Sequence, residues 1–167
     1  MNECIYEKSK LNESLDLKNL ITIGYEIYNK IKNLEIKIRG KNLFFKTELD
    51  VHTMKELGYE HIISMKNNMG LRIYEKNRII YMPILEKILF SCINKCSSIK
   101  FFYDNKDICI WCPTQDYLIV LANRKNGYLL KTAYPIIYKH KREAIEKKQT
   151  KTVYNLIYTV FSAPSDN

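Results

Sequence analysis

The stretch SIKFFYDNKDICIWCPTQDYLIVLANRKNGYLLKTAYPII, residues 98–137, decides the fold. Residues 98–103 and 107–112 are rich in β-branched and aromatic side chains and flank the turn formers Asp104-Asn105-Lys106, the pattern of a β-hairpin. Residues 117–123 and 128–137 repeat that plan around a turn at 124–127. Four strands joined by short turns make an antiparallel meander. Upstream the period changes. Ile84, Leu85, Ile88, Leu89, Cys92, Ile93 and Cys96 recur at helical spacing after Pro83, whose fixed φ suits a first helical turn, so 83–96 is expected to be a helix. A second stripe of Leu17, Leu20, Ile21, Ile27, Ile31 and Leu34 belongs to a helix expected to start at Ser14 or Asp16, with Asp16 a candidate cap and Gly24 inside it. Thr53-Met54-Lys55-Glu56 has capping-box spacing and predicts a helix start, while 34–39 and 42–47 read as a short hairpin around Gly40-Lys41. Helices first and a meander afterwards is an α+β plan, with N-terminal helices packed on a C-terminal antiparallel sheet.

Three regions follow from this pass. Residues 1–50 read as a helical extension with a short hairpin, its first twelve residues polar and frayed. Residues 51–150 read as the α+β domain, with a turn near 67–70 and a charged helical segment over 139–150. Residues 151–167 read as a C-terminal tail.

Composition narrows the function classes. The 167 residues are 46% hydrophobic, enough for a core, and carry a formal charge of +9 with 13 Tyr and 6 Phe. Cations that pair with phosphates and rings that stack on bases fit a nucleic-acid partner, although Lys- and Tyr-rich codon usage yields the same composition. No apolar run is long enough to span a bilayer and no signal peptide is visible, so no membrane partner is expected. The expected site of action is the cytoplasm, reached by synthesis there or by delivery as a toxin fragment. Cys92-x3-Cys96 and Cys109-x2-Cys112 look superficially like a zinc site. Helical periodicity buries the first pair, however, and a separation of three sends the second pair to opposite faces of a strand, so no metal is expected.

No phosphate-binding loop, HExxH or GxSxG is present, and acidic residues do not cluster as a two-metal nuclease requires. The remaining inventory of His, Lys, Arg, Thr and Tyr suits metal-free RNA cleavage: the 2′-OH attacks, a base removes its proton, cations stabilise the phosphorane and an acid protonates the leaving 5′-oxygen.

Two segments carry a resemblance: Gly58-Tyr59-Glu60-His61-Ile62-Ile63-Ser64-Met65-Lys66, and the run from Tyr117-Leu118-Ile119-Val120 to Leu129-Leu130-Lys131-Thr132-Ala133-Tyr134. A His-bearing helix, a Pro-started helix and a meander ending in Thr-x-aromatic resemble the barnase/EndoU/colicin/RelE-like ribonuclease superfamily over residues 53–140, and especially its phage-associated and toxin-type nucleases. The resemblance implies a metal-independent endoribonuclease without cofactor, a toxin that cuts tRNA or mRNA to leave a 2′,3′-cyclic phosphate and a 5′-OH. It makes His61 the proton-transfer group and Thr132 and Tyr134 the strand-borne pair that meets phosphate and base. Period two places Thr132 and Tyr134 on one face, with Lys131 on the other unless a bulge intervenes. Arg72 and Arg78 are candidate phosphate clamps, and Lys66 and Lys131 are candidate RNA- or phosphate-binding cations beside them. Lys66, five residues past His61, lies about 140° round an ideal helix and joins it only if the helix ends between them. An acidic antitoxin or immunity protein is the expected protein partner, because such a protein readily masks a +9 surface. A non-catalytic nucleic-acid binder of a phage or mobile element is the alternative, and a Tyr-rich protein-interaction adaptor a third.

Overall fold

The computed structural model describes the backbone of residues 9–161 and the side chains of 9–152. The fold is α+β. Helix α1 (Leu17–Lys32) starts where the Asp16 signal predicts, the Asp16 carboxylate accepting from the backbone N–H of Asn19 at 2.8 Å. Strands β1 (Lys37–Ile38) and β2 (Lys41–Phe44) form the short hairpin. Helix α2 (Leu57–Ile63) leads into β3 (Ser64–Lys66), the turn at 67–70 and β4 (Arg72–Tyr74). Then come α3 (Lys76–Ile80), α4 (Met82–Lys87), the meander β5 (Lys100–Asp104), β6 (Asp107–Cys112), β7 (Tyr117–Arg124) and β8 (Gly127–Pro135), and finally α5 (Lys139–Phe161).

The main sheet has six strands in the order β1-β2-β8-β7-β6-β5. Both faces are covered, which explains why β6 is buried over five consecutive residues rather than alternately. Ile108, Ile110 and Cys112 join the larger core beneath α1–α4, whereas Cys109 and Trp111 join a smaller one with Phe102, Leu118, Ile136 and Ile145 of α5. Cys109 and Cys112 therefore do face opposite ways. Helix α5 is tied to the rims of the sheet by ion pairs from Arg142 to Asp116 and from Lys148 to Asp104.

Several expectations need correcting. Residues 9–50 are no separate extension: Leu20, Tyr28, Ile31 and Leu43 belong to the same core as Ile62 and Ile119, and β2 pairs in parallel with β8. Leu11 is already docked, its N–H donating to the carbonyl of Ile80 at 2.9 Å; residues 1–8 lie outside the described residues. The capping box at Thr53–Glu56 does not form. Leu57 and Gly58 instead donate their N–H groups to the carbonyls of Glu48 and Lys46, so backbone satisfies the start of α2, while Asp50 organises the turn before it. The expected helix 83–96 is α only to Lys87 and continues as a π-helical turn over Ile88–Cys92, closed by Ile93 N–H to the carbonyl of Ile88. Residues 151–161, expected to be tail, continue the backbone of α5.

Two glycines permit close helix approach. A Cβ on Gly24 would stand 2.7 Å from the Tyr59 hydroxyl, which fills that notch in α1 and donates to the carbonyl of Ile21. A Cβ on Gly58 would meet the Tyr28 hydroxyl and the backbone oxygen of Lys46. These packing contacts fix α2 against α1 and against the chain leaving β2, and so fix His61.

Candidate active site

A cleft of about 970 Å³ opens between α2, the β3–β4 hairpin and the meander. Among the described residues its walls carry His61 and seven cations: Lys46, Lys66, Arg72, Arg78, Lys106, Arg124 and Lys131. One carboxylate, Asp107, lines it too, and it is paired with Lys131 at 2.5 Å. A concave surface so one-sided in charge concentrates a polyanion.

Tyr59, Ile62 and Ile63 anchor α2 in the core and leave His61 half-buried at its last turn, facing the cleft. Burial holds its pKa below the ordinary histidine value, and the charges of Arg72, Lys46 and Lys66 act in the same direction. The imidazole is therefore neutral at pH 7 and able to accept a proton. The helix ends at Ile63 and the chain runs extended through Lys66, so Lys66 returns to the cleft that a continued helix would have turned it away from.

Arg72 donates to the Ser64 hydroxyl at 3.0 Å, and that hydroxyl donates to the carbonyl of Glu60. Burial, opposed by the nearby buried Glu60 carboxylate and reinforced by Arg78, holds the Arg72 pKa below the ordinary guanidinium value, while burial and the same carboxylate push the Tyr74 hydroxyl up to about 12. Arg78 is a junction. Its Nε donates to Glu75 at 2.6 Å, and one terminal nitrogen reaches the carbonyls of Ile62 and Ser64 and the Thr132 hydroxyl. Its guanidinium also lies 4.9 Å from the centre of the Tyr134 ring.

A bulge between Leu130 and Thr132 makes Lys131 the extra residue of β8, and both Lys131 and Thr132 line the cleft. The Thr132 hydroxyl donates to the backbone carbonyl of His61 at 3.2 Å rather than meeting the imidazole. Beyond its three-residue pairing with β2, that edge of β8 pairs with no strand among the described residues and is covered by α2 and α3 through these Thr132 and Arg78 hydrogen bonds. Tyr134 does not line the cleft. Its ring packs in the smaller core beside α5, where burial raises its pKa. The structure thus gathers His61, Lys66, Arg72, Arg78, Lys131 and Thr132 into one cleft and leaves Tyr134 behind it, in contact through Arg78.

Lys46, Lys106 and Arg124 are additions to the residues expected from sequence. A signal existed for two of them: Lys106 and Arg124 sit at the β5–β6 and β7–β8 turns, and alternate turns of a meander lie at the same end of the sheet. Lys46 had none, because only the crossing of α2 brings it in. Among the described residues no cluster of His, Cys, Asp or Glu could hold a metal ion, and no helix is long and apolar enough to cross a membrane. Comparison with protein-family models, curated proteins and solved structures finds no match for this chain.

Proposed function

We propose that the protein is a metal-independent endoribonuclease, a toxin acting on tRNA or mRNA. The observation that carries this reading is the cleft itself, which sets the His61 imidazole among seven Lys and Arg side chains. His61 takes the proton from the ribose 2′-OH. The 2′-oxygen bonds to phosphorus while Arg72, with Lys66 at the rim, offsets the charge gathering on the phosphoryl oxygens. The P–O5′ bond breaks, and the leaving oxygen takes a proton from an ammonium group of the cleft, Lys46 or Lys66. A 2′,3′-cyclic phosphate and a 5′-OH result. A wall of cations disfavours a divalent ion, which needs carboxylate and carbonyl oxygens. Thr132 acts on placement, since its hydroxyl is shared between His61 and Arg78.

Purified protein is expected to cut tRNA in EDTA and to lose about 10²–10⁴-fold in kcat/KM with His61→Ala, while circular dichroism shows an unchanged fold. Intact tRNA after prolonged incubation with folded wild-type protein rejects the reading. One observation favours a nucleic-acid binder without chemistry: the hydroxyls of Thr132 and Tyr134 are not offered to the imidazole. A binder would retard RNA, with affinity falling steeply in salt, and leave it whole.

A further inference from the structure

β3 and β4 form a two-stranded sheet that no third strand joins among the described residues. Met65 stands opposite Ile73 on one face, while Ser64, Lys66, Arg72 and Tyr74 occupy the other. The second face is engaged: Ser64 is buried, Tyr74 packs on the core, and Lys66 and Arg72 line the cleft. Among the described residues the first face is exposed. Met65 is 41% exposed and Ile73 52%, and at the turn Met69 and Leu71 are 78% and 61% exposed. The turn that displays them is closed tightly, with the Asn67 side chain accepting from the N–H groups of Met69 and Leu71 and its backbone paired with Leu71 and Gly70. Met65 also lines the cleft, so the apolar face runs into the cationic rim. Clustered exposed apolar side chains of this kind mark interaction surfaces.

The adjoining charge selects the occupant. A phosphodiester backbone gains nothing from methionine and leucine. A second copy of a +9 chain would set like charge against like. A flat bilayer cannot follow Lys66 and Arg72 into a cleft, and the Asn67–Gly70 turn carries no cation of its own. An acidic protein meets both demands, with apolar side chains over the hairpin and carboxylates reaching the cleft cations. We infer that the outer face of the β3–β4 hairpin docks an acidic protein that thereby closes the cleft. That closure excludes RNA rests on the ribonuclease reading; the docking itself does not.

The test titrates the full chain with two synthetic peptides of equal length, one alternating Leu and Glu and one of Glu alone. The alternating peptide is expected to bind roughly tenfold more tightly. M69S/L71S should erase that preference while leaving RNA cleavage unchanged, and K66Q/R72Q should weaken both peptides. The alternating peptide should also displace a fluorescent single-stranded RNA. Equal affinities for the two peptides, or a preference that survives M69S/L71S, overturn the inference. So does binding to phosphatidylglycerol vesicles, or self-association, that M69S/L71S abolishes. If the peptide preference holds but no RNA is bound or cut, the docking surface stands and the ribonuclease reading falls.

Discussion

His61 joins proton chemistry to folding stability. Its folded pKa lies below the ordinary value of 6.5, mainly through burial and secondarily through the cations around it. Well above pH 6.5 the imidazole is neutral in folded and unfolded chains alike. As pH falls below 6.5 toward the lower folded value, the unfolded chain takes up a proton that the folded chain resists, so stability declines across that window. Urea titrations should show this decline, and His61→Gln should flatten it. The same group sets a rising limb of kcat/KM with a midpoint below 6.5. Bound phosphate offsets the surrounding cations, so the kcat midpoint should lie higher than that of kcat/KM; coincident midpoints would separate His61 from the phosphate site. Thr132 offers a contrast. If its hydroxyl only ties β8 to α2, Thr132→Ser keeps the tie, whereas Thr132→Val costs about 1–2 kcal/mol in urea unfolding with a small effect on kcat. A Thr132→Val enzyme with full stability and no turnover would make the hydroxyl a participant in the chemistry.

At the scale of elements, the site depends on how α2 is held. Arg78 links α2, β3, α3 and β8 through the guanidinium of a side chain that is 15% exposed. An ammonium cannot reproduce that planar fork, so Arg78→Lys should cost about 2–3 kcal/mol and raise KM through a displaced His61. Gly58→Ala should destabilise more than Gly24→Ala. The added methyl at Gly58 meets a backbone oxygen that cannot rotate away, 2.7 Å off, whereas at Gly24 it meets side-chain atoms; the reverse order in thermal unfolding would contradict the packing described. Elements that advertise themselves locally were legible in the sequence. Asp16 and the Leu/Ile stripe mark α1, and the alternation on either side of Asp104-Asn105-Lys106 and Arg124–Gly127 marks the meander. The start of α2 was not legible, because its N–H groups are satisfied by the carbonyls of Lys46 and Glu48, a tertiary pairing that leaves no local capping signal. The β3–β4 hairpin escapes detection for a related reason: each strand is only three residues long, too short for its period to register.

For the molecule as a whole, the cleft is where distant segments of a basic chain converge. His61 and Lys66 were readable as neighbours in sequence, and Lys131 entered once β8 bulged. The displacement of Tyr134 into the smaller core was not readable, since it depends on α5 covering that face of the sheet. Convergent cations predict a measurable salt dependence. Removing one phosphate-binding cation, as in Arg72→Gln or Lys66→Gln, should lower the slope of log affinity against log salt by about 0.7 for single-stranded RNA, and an unchanged slope would place the RNA elsewhere. The central claim is that His61 draws a proton from a ribose 2′-OH within this cleft. The most direct measurement is mass spectrometry of fragments from an oligoribonucleotide cut by the wild-type protein in EDTA, beside the same strand carrying a single 2′-deoxy nucleotide 5′ of the scissile bond. The account predicts a 2′,3′-cyclic phosphate on the ribose strand and no cut at the deoxy position. A cut at the deoxy position, or a 3′-OH end, would contradict it.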